Sequence, residues 1–214
     1  NPSVTAFNIN MKPAKEAVIL NDWMFSALSE QGIQVAHVNE TGFPDVKGKT
    51  VVQGYSNGVA VNSDMTLLFV ATGELGLSIL DISQFEDGYG VYPTVGWINT
   101  IGYAQAVALV EESHLALVAS GAGGLVIIDY SDLDNLIVVG TFHTDDDAFD
   151  VKVDNRLAYV TAEDGGFYAI NVDNPASPLA IAHLGMSEAL GLDFNDTHIF
   201  IADEEDGLVI IEKP

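Results

Sequence analysis

Gly124-Leu125-Val126-Ile127-Ile128-Asp129-Tyr130 decides the fold, because versions of it recur along the chain. They read Gly32-Ile33-Gln34-Val35-Ala36-His37-Val38, Gly76-Leu77-Ser78-Ile79-Leu80-Asp81-Ile82, Gly166-Phe167-Tyr168-Ala169-Ile170-Asn171-Val172 and Gly207-Leu208-Val209-Ile210-Ile211-Glu212-Lys213. Their glycines lie 44, 48, 42 and 41 residues apart, the period of four-stranded propeller blades, about 40–50 residues each. Five copies in phase imply an all-β, five-bladed propeller of four-stranded antiparallel blades in one domain, 1–214. The blades are expected at about 11–55, 56–102, 103–144, 145–185 and 186–214 plus 1–10.

Outward from the glycine-led strand c, each unit has two strands before it and one after. Strand a is expected at 17–20, 59–62, 106–110, 149–153 and 190–194, and strand b at 23–27, 67–71, 115–119, 157–161 and 197–202. The outer strand d is expected at 49–53, 94–98, 136–142 and 179–183. These runs are β-branched and aromatic, and Asn, Asp and Gly turns such as Asp154-Asn155 and Asn195-Asp196 bound them, as hairpins require. No segment holds a 3.6-residue period, so helix is expected to be minor. The fifth unit stops at Pro214 before its own outer strand, whereas Asn1 to Asn10 resembles the fourth outer strand, residues 174–183. The N-terminal segment is therefore expected to complete the last blade and close the ring, removing an open sheet edge. The alternative is a piece of a longer repeat array. The second unit carries an insertion, residues 84–92, with aromatics and acids that suit either a contact surface or a packed rim.

Lys and Arg total 7 against 31 Asp and Glu, a formal charge of −24. Such a surface repels nucleic acid phosphates and anionic lipid headgroups, both of which need Lys or Arg clusters. It attracts cations and basic partners, and it keeps an apolar-rich fold in solution. Cysteine is absent, which excludes disulfides, thiolate metal sites and cysteine nucleophiles. No run of about 18 apolar residues exists to cross a membrane as a helix. The start at Asn1, without Met or an apolar leader, reads as a mature or trimmed product.

The units resemble the LVIVD-repeat family of β-propellers, whose repeats run Ala-Tyr-Val-Ala, a turn, Gly-Leu-hydrophobic-Ile-Val-Asp-Val and then Asn-Pro or Asp-Pro. The stretches that carry the resemblance are Leu157-Ala158-Tyr159-Val160-Thr161 with Gly165-Gly166-Phe167-Tyr168-Ala169-Ile170-Asn171-Val172-Asp173-Asn174-Pro175, and Leu115-Ala116-Leu117-Val118-Ala119 with the block at Gly124. The first unit departs most, with Ser26 and His37, and the fifth ends before an Asn-Pro step. The resemblance implies a prokaryotic surface or secreted protein and no common reaction.

Aligned without gaps, the b–c loops are residues 28–31, 72–75, 120–123, 162–165 and 203–206, and four of the five carry acid. Asp145, Asp146, Asp147, Glu163, Asp164, Glu188, Asp203, Glu204 and Asp206 are thereby expected on one sector of one face. Several carboxylates at one mouth suit Ca²⁺, which takes six to eight oxygen ligands, although no EF-hand spacing is present. The other reading is turn-forming acids on solvated tips. Asp150 aligns with Ala17, Ala60, Ala108 and Gly191, so a carboxylate on an inner strand near the axis stands out. With Glu163, Asp164 or Glu188 it would make a paired-carboxylate site for acid/base work; otherwise it bonds backbone N–H groups or water. Lys152 is expected to pair with it only where the strand bulges or ends. The five histidines do not converge, leaving His143 beside the Asp145–Asp147 run as the one combination of interest. Asp81, Asp129, Asn171 and Glu212, with His37, share a position after strand c and are expected to cap the c–d turn.

The reading that follows is a non-enzymatic, secreted or cell-surface recognition or scaffold module whose acidic face meets a basic protein, a glycan or a cation. The alternatives are a sugar or phosphate-ester hydrolase using Asp150 and Glu188, with or without Ca²⁺, and a structural module of a larger surface assembly.

Overall fold

The protein is described here by a computed structural model covering residues 14–40, 42–84 and 91–213. The first blade holds β1 (Glu16–Leu20), β2 (Trp23–Ala27), β3 (Ile33–Val38) and β4 (Pro44–Thr50). The second holds β5 (Gly58–Val61), β6 (Leu67–Ala71), β7 (Leu77–Asp81) and β8 (Thr94–Ile98). The third holds β9 (Ala106–Val110), β10 (Leu115–Ala119), β11 (Leu125–Asp129) and β12 (Ile137–Phe142), with one 3-10 turn, Glu111–Ser113, in its first hairpin. The fourth holds β13 (Asp150–Asp154), β14 (Leu157–Ala162), β15 (Gly166–Asn171) and β16 (Leu179–Leu184). The fifth contains β17 (Ala189–Phe194), β18 (His198–Asp203) and β19 (Gly207–Glu212) among the described residues. Each sheet is an antiparallel meander in chain order, and together they form the expected five-bladed propeller. The closure expected of residues 1–10, and residues 85–90 of the insertion, lie outside the described residues.

In the first four blades strands b and c are largely buried on both faces because a blade packs against neighbours on both sides, whereas β19 of the fifth leaves Leu208 and Ile210 exposed. Phe25, Ile33 and Val35 of the first blade meet Leu68, Val70 and Leu80 of the second. Phe69 and Ile79 turn the other way, onto Val118, Val126 and Ile128 of the third. Leu117 and Ile127 then meet Val160 and Ile170 of the fourth, and Tyr159 and Phe167 meet Ile199 and Ile201 of the fifth. Among the described residues no helix is long and apolar enough to cross a membrane.

The repeated glycine has two physical reasons. Gly32, Gly76, Gly124, Gly166 and Gly207 all adopt φ between 70° and 78°, the left-handed region that side chains disfavour. A Cβ on Gly124 would also sit on the carbonyl oxygen of Phe142, where the outer strand ends. Gly32, Gly76 and Gly166 face the matching carbonyls of Thr50, Ile98 and Leu184. The b–c turn is therefore closed tightly against strand d, and only glycine fits.

Strand b boundaries match expectation in three blades, and the c–d caps form as expected at Asp81, Asp129 and Asn171, whereas His37 instead packs edge-on against Trp23. The Asp81 carboxylate accepts from the Ser83 N–H at 2.9 Å, Asp129 from Ser131 at 2.8 Å, and the Asn171 side-chain oxygen from Asp173 at 2.8 Å. The bonds from Ser83 and Ser131 hold the Asp81 and Asp129 carboxyls below their ordinary value. Two features of strand d differ from expectation. The first outer strand is Pro44–Thr50, not 49–53. Each of the four outer strands also carries a register shift against strand c, as between Ile127 and Ile128. The glycine beside the bulge leaves room for the next blade: Gly140 lies against the Pro175 carbonyl, and Gly96 lies 2.9 Å from that of Leu133 by the position its Cβ would take.

Gly124→Ala is expected to destabilise the fold by about 2–3 kcal/mol, combining left-handed strain with the Phe142 clash. Gly185→Ala, where an added Cβ meets nothing within 4 Å, is expected to be nearly neutral. Urea unfolding of the two variants measures the contrast.

Candidate functional site

Each sheet begins at its inner strand, so the axial edges of β1, β5, β9, β13 and β17 lack a neighbouring strand. Their N–H and C=O groups face a central cavity of about 870 Å³, lined by all five inner strands. A second cavity of about 280 Å³ opens at one mouth, and Glu16, Asp150 and Gly191 line both. Polar groups at such an edge need partners.

Two carboxylates supply them by the same device. Asp150 Oδ2 accepts the N–H of Leu192 in the fifth blade at 2.9 Å, and Glu16 Oε2 accepts the N–H of Val59 in the second blade at 2.9 Å. Lys152 ties the two acids together, donating to Glu16 Oε1 at 2.7 Å and lying 3.4 Å from Asp150 Oδ1. Asp150 Oδ1 also accepts its neighbour's N–H, that of Val151, at 2.7 Å. Neither Glu163, Asp164 nor Glu188 is among the partners of Asp150. Burial pulls the Lys152 pKa down, but the Asp150 and Glu16 carboxylates outweigh it and hold the ammonium above the ordinary lysine value.

This network corrects two expectations. Strand β13 runs in unbroken register along β14 from Asp150 to Asp154; no bulge is needed, because residues two apart on a strand share a face. The gapless alignment also paired Asp150 correctly with Gly191 but wrongly with Ala17, Ala60 and Ala108. Across the a–b ladder Asp150 faces Thr161, and the same level holds Glu16 opposite Ala27, Gly58 opposite Ala71, Ala106 opposite Ala119 and Gly191 opposite Ala202. Glu16 is thus the true counterpart of Asp150, and the sequence reading passed over it. Gly58 admits it: a Cβ there would lie 3.1 Å from Glu16 Oε2 and 2.7 Å from the Ala106 Cα.

On the face bearing the b–c loops, the residue that starts each turn forms a backbone bridge with the entrance to the next blade. Ser29 pairs with Ser56, Gly73 with Ala104, Gly121 with Ala148 and Glu163 with Ala189. The starting residue is left-handed in each case, with φ of 55°, 64°, 50° and 33°. Glu163 therefore holds a position that glycine fills in two other blades, and Glu188, at φ 55°, precedes the Ala189 side of the same bridge.

These strained glutamates lie among further acids. Burial raises the Glu163 carboxyl above its ordinary value, and the charges of Asp147, Asp146 and Asp164 add to this. A hydrogen bond with Glu204 and its charge raise Glu188, with Asp164 and Glu205 contributing. The other expected ligands serve their own loops. Asp203 is buried, with Oδ1 accepting the N–H groups of Glu205 at 2.9 Å and Asp206 at 2.8 Å. Asp146 Oδ1 accepts the Asp147 N–H at 2.8 Å, and the Tyr168 hydroxyl accepts the Asp145 N–H at 3.0 Å. Among the described residues no group of three or more His, Asp or Glu side chains is arranged to hold a metal ion, His143 included. The ion pairs found there engage Asp45, Glu16, Asp150, Asp173 and Asp154. None engages Glu163, Glu188 or Glu204.

Repeated antiparallel blades around a structural ion network at the axis define a β-propeller. The family model for the LVIVD repeat matches residues 53–84, 101–144 and 145–182, more than half of the chain, and the chain belongs to this family. Solved structures similar in fold include the WD40 β-propeller domain of Doa1, at 13% identity and TM-score 0.67, covering 94% of this chain and 65% of that one. The structure of U3-55K is similar at 13% identity and TM-score 0.71, covering 93% and 61%. The chain thus spans less than two-thirds of either propeller's length. No curated protein matches it in sequence.

Lys152→Met leaves two part-buried carboxylates facing each other, and is expected to cost about 1–3 kcal/mol at neutral pH by urea unfolding. Because the Lys152 pKa is raised on folding, its contribution is present below the ordinary value of 10.5 and fades as pH climbs through the folded value. The gap between wild type and variant should therefore close in alkali. Glu163→Gly is expected to stabilise by about 0.5–1 kcal/mol, since it relieves left-handed strain against a smaller loss of chain entropy.

Proposed function

We propose that this propeller is a non-enzymatic recognition module whose acidic loop face takes a basic segment of a partner protein. The observation that carries the reading is that Glu163, Glu188 and Glu204 have no ion-pair partner among the described lysines and arginines. Two of these acids are raised above their ordinary value, by burial and neighbouring acids at Glu163 and by the Glu204 contact at Glu188. Their mutual repulsion is a cost that an incoming cationic side chain removes, and strained, unpaired residues mark binding surfaces more often than cores do. Asp150, by contrast, has both carboxylate oxygens in structural hydrogen bonds. The proposal includes a secreted or cell-surface setting, supported by the acidic balance of the whole chain.

Hexalysine is the probe, titrated calorimetrically at low ionic strength. Binding should weaken steeply with salt, and Glu163→Gln combined with Glu188→Gln should weaken it at least about fivefold, near 1 kcal/mol. Glu112→Gln, at an a–b hairpin on the opposite face, should leave it unchanged. Since binding favours ionised carboxyls whose pKa values are raised, the peptide should release protons, and affinity should rise as pH climbs from the ordinary glutamate value of 4.5. Equal effects of the Glu112 and the double variant would refute the assignment of the face.

A further inference from the structure

The blade 1–blade 2 rim holds a groove of a different chemical kind. It has a volume of about 610 Å³, inside the range of about 300–1,000 Å³ typical of small-ligand sites. Its floor is the cross-strand pair Ser78–Trp97. The chain has two tryptophans; Trp23 is buried in the first core, whereas Trp97 is 66% exposed on the outer strand β8. Val51 and Gln53, leaving the first blade, form the opposite wall, and Thr94 and Asn99 stand at the two ends of β8.

The groove exists because the second blade departs from the repeat at one pair. The matching cross-strand pairs are Gln34–Lys49, Val126–Thr141 and Tyr168–His183. In the fourth blade Tyr168 and His183 stack at 4.3 Å with an 8° angle between the rings, so large side chains occupy that space. Ser78 is the smallest of these strand c residues and pairs with the largest partner. The result is an aromatic plate beside an open volume.

Among the described residues the lining contains no ionisable side chain, on a molecule of net charge −24. It therefore suits a ligand without charge. An exposed indole face, electron-rich at its centre, takes up polarised C–H groups. The amides of Gln53 and Asn99 and the hydroxyls of Ser78 and Thr94 offer both donors and acceptors around it. A flat C–H face bordered by hydroxyls is the shape of a pyranose ring. We propose that this groove binds a neutral saccharide, stacked on Trp97 and hydrogen-bonded through Gln53 and Asn99. The site lies on blades 1 and 2, with Leu75 of the second b–c loop at its edge, and its chemistry does not depend on Glu163, Glu188 or Glu204 of blades 4 and 5.

The test titrates the whole chain calorimetrically with maltohexaose, cellohexaose and N-acetylchitohexaose, and follows acrylamide quenching of tryptophan fluorescence, which reaches Trp97 and not the buried Trp23. At least one saccharide is expected to bind with a micromolar to millimolar Kd, to protect Trp97 from quenching, and to bind equally at low and high salt, unlike hexalysine. Trp97→Ala and Gln53→Ala alter exposed side chains and should leave the melting temperature intact while weakening binding at least about tenfold. No heat from any of the three at about 10 mM, saccharide binding that both variants retain, or protection of Trp97 by hexalysine alone would each overturn the proposal.

Discussion

The reciprocal backbone bridge between the turn of one blade and the entrance of the next governs the arrangement. Gly121 and Ala148 exchange two N–H to carbonyl bonds of 3.0 Å, and Ser29 and Ser56 do the same at 2.9 and 3.1 Å. Such a bridge requires the turn residue to expose both its N–H and its C=O sideways, which a left-handed φ allows. The following glycine must then reverse the chain beneath the outer strand. Two consecutive constraints thus fall on a four-residue loop, and they are the reason the repeat is written around Gly-hydrophobic rather than around its apolar run alone. Hydrophobic contact between blades is broad and non-directional; the bridge sets the blade-to-blade offset.

The same geometry bears on what the acids do. At the axis, a meander that starts at strand a leaves its inner edge open, and Glu16 and Asp150 close it at two of the five seams. Each reaches the N–H that follows a glycine, Gly58 or Gly191, so the small residue on one blade and the acid on the other form a unit. Lys152 neutralises the pair across the channel. On the loop face no described lysine or arginine pairs with Glu163, Glu188 or Glu204. Carboxylates of one chain thereby separate into two populations, one satisfied by N–H groups and an ammonium, the other repelling one another at the surface. Paired groups of the first kind are structural, whereas an unpaired, strained cluster has free energy to gain from a ligand.

Legibility in the sequence followed apolar, β-branched runs set between clear turns, which placed even the outer strand β8 to the residue. Strands β2, β6 and β10 were placed to the residue because they are apolar on both faces and pinned between short turns. Strand β4, Pro-Asp-Val-Lys-Gly-Lys-Thr, was misplaced: an outer strand with one neighbour tolerates charge, and proline at its first position, so it reads as loop. The axial network was half visible. Asp150 stood out, but Glu16 did not, because the a–b hairpins vary in length, from two residues between β1 and β2 to five between β5 and β6. A gapless alignment anchored at strand c cannot carry the register across them. Glu163 was aligned with Gly73 and Gly121 and named among the acids, but its left-handed backbone was not read from that match. The Ser78–Trp97 pair was invisible because cross-strand partners come only from the strand register.

A repeat protein concentrates its individuality in departures from its own pattern. Where all blades agree, the residue serves the scaffold, as the c-strand glycine does. Where one blade differs, the scaffold holds the exception rigidly and without requiring it. Glutamate for glycine at 163 raises the energy of its own turn, and serine for a bulkier residue at 78 forgoes apolar burial that Val126 and Tyr168 secure. Both changes cost stability that the other blades keep. The cost falls on opposite kinds of chemistry, charge crowded at the b–c loops and an uncharged aromatic groove on the rim. Because the acids Glu163, Glu188 and Glu204 belong to blades 4 and 5 and the groove to blades 1 and 2, the two proposed ligands would not compete for the same atoms.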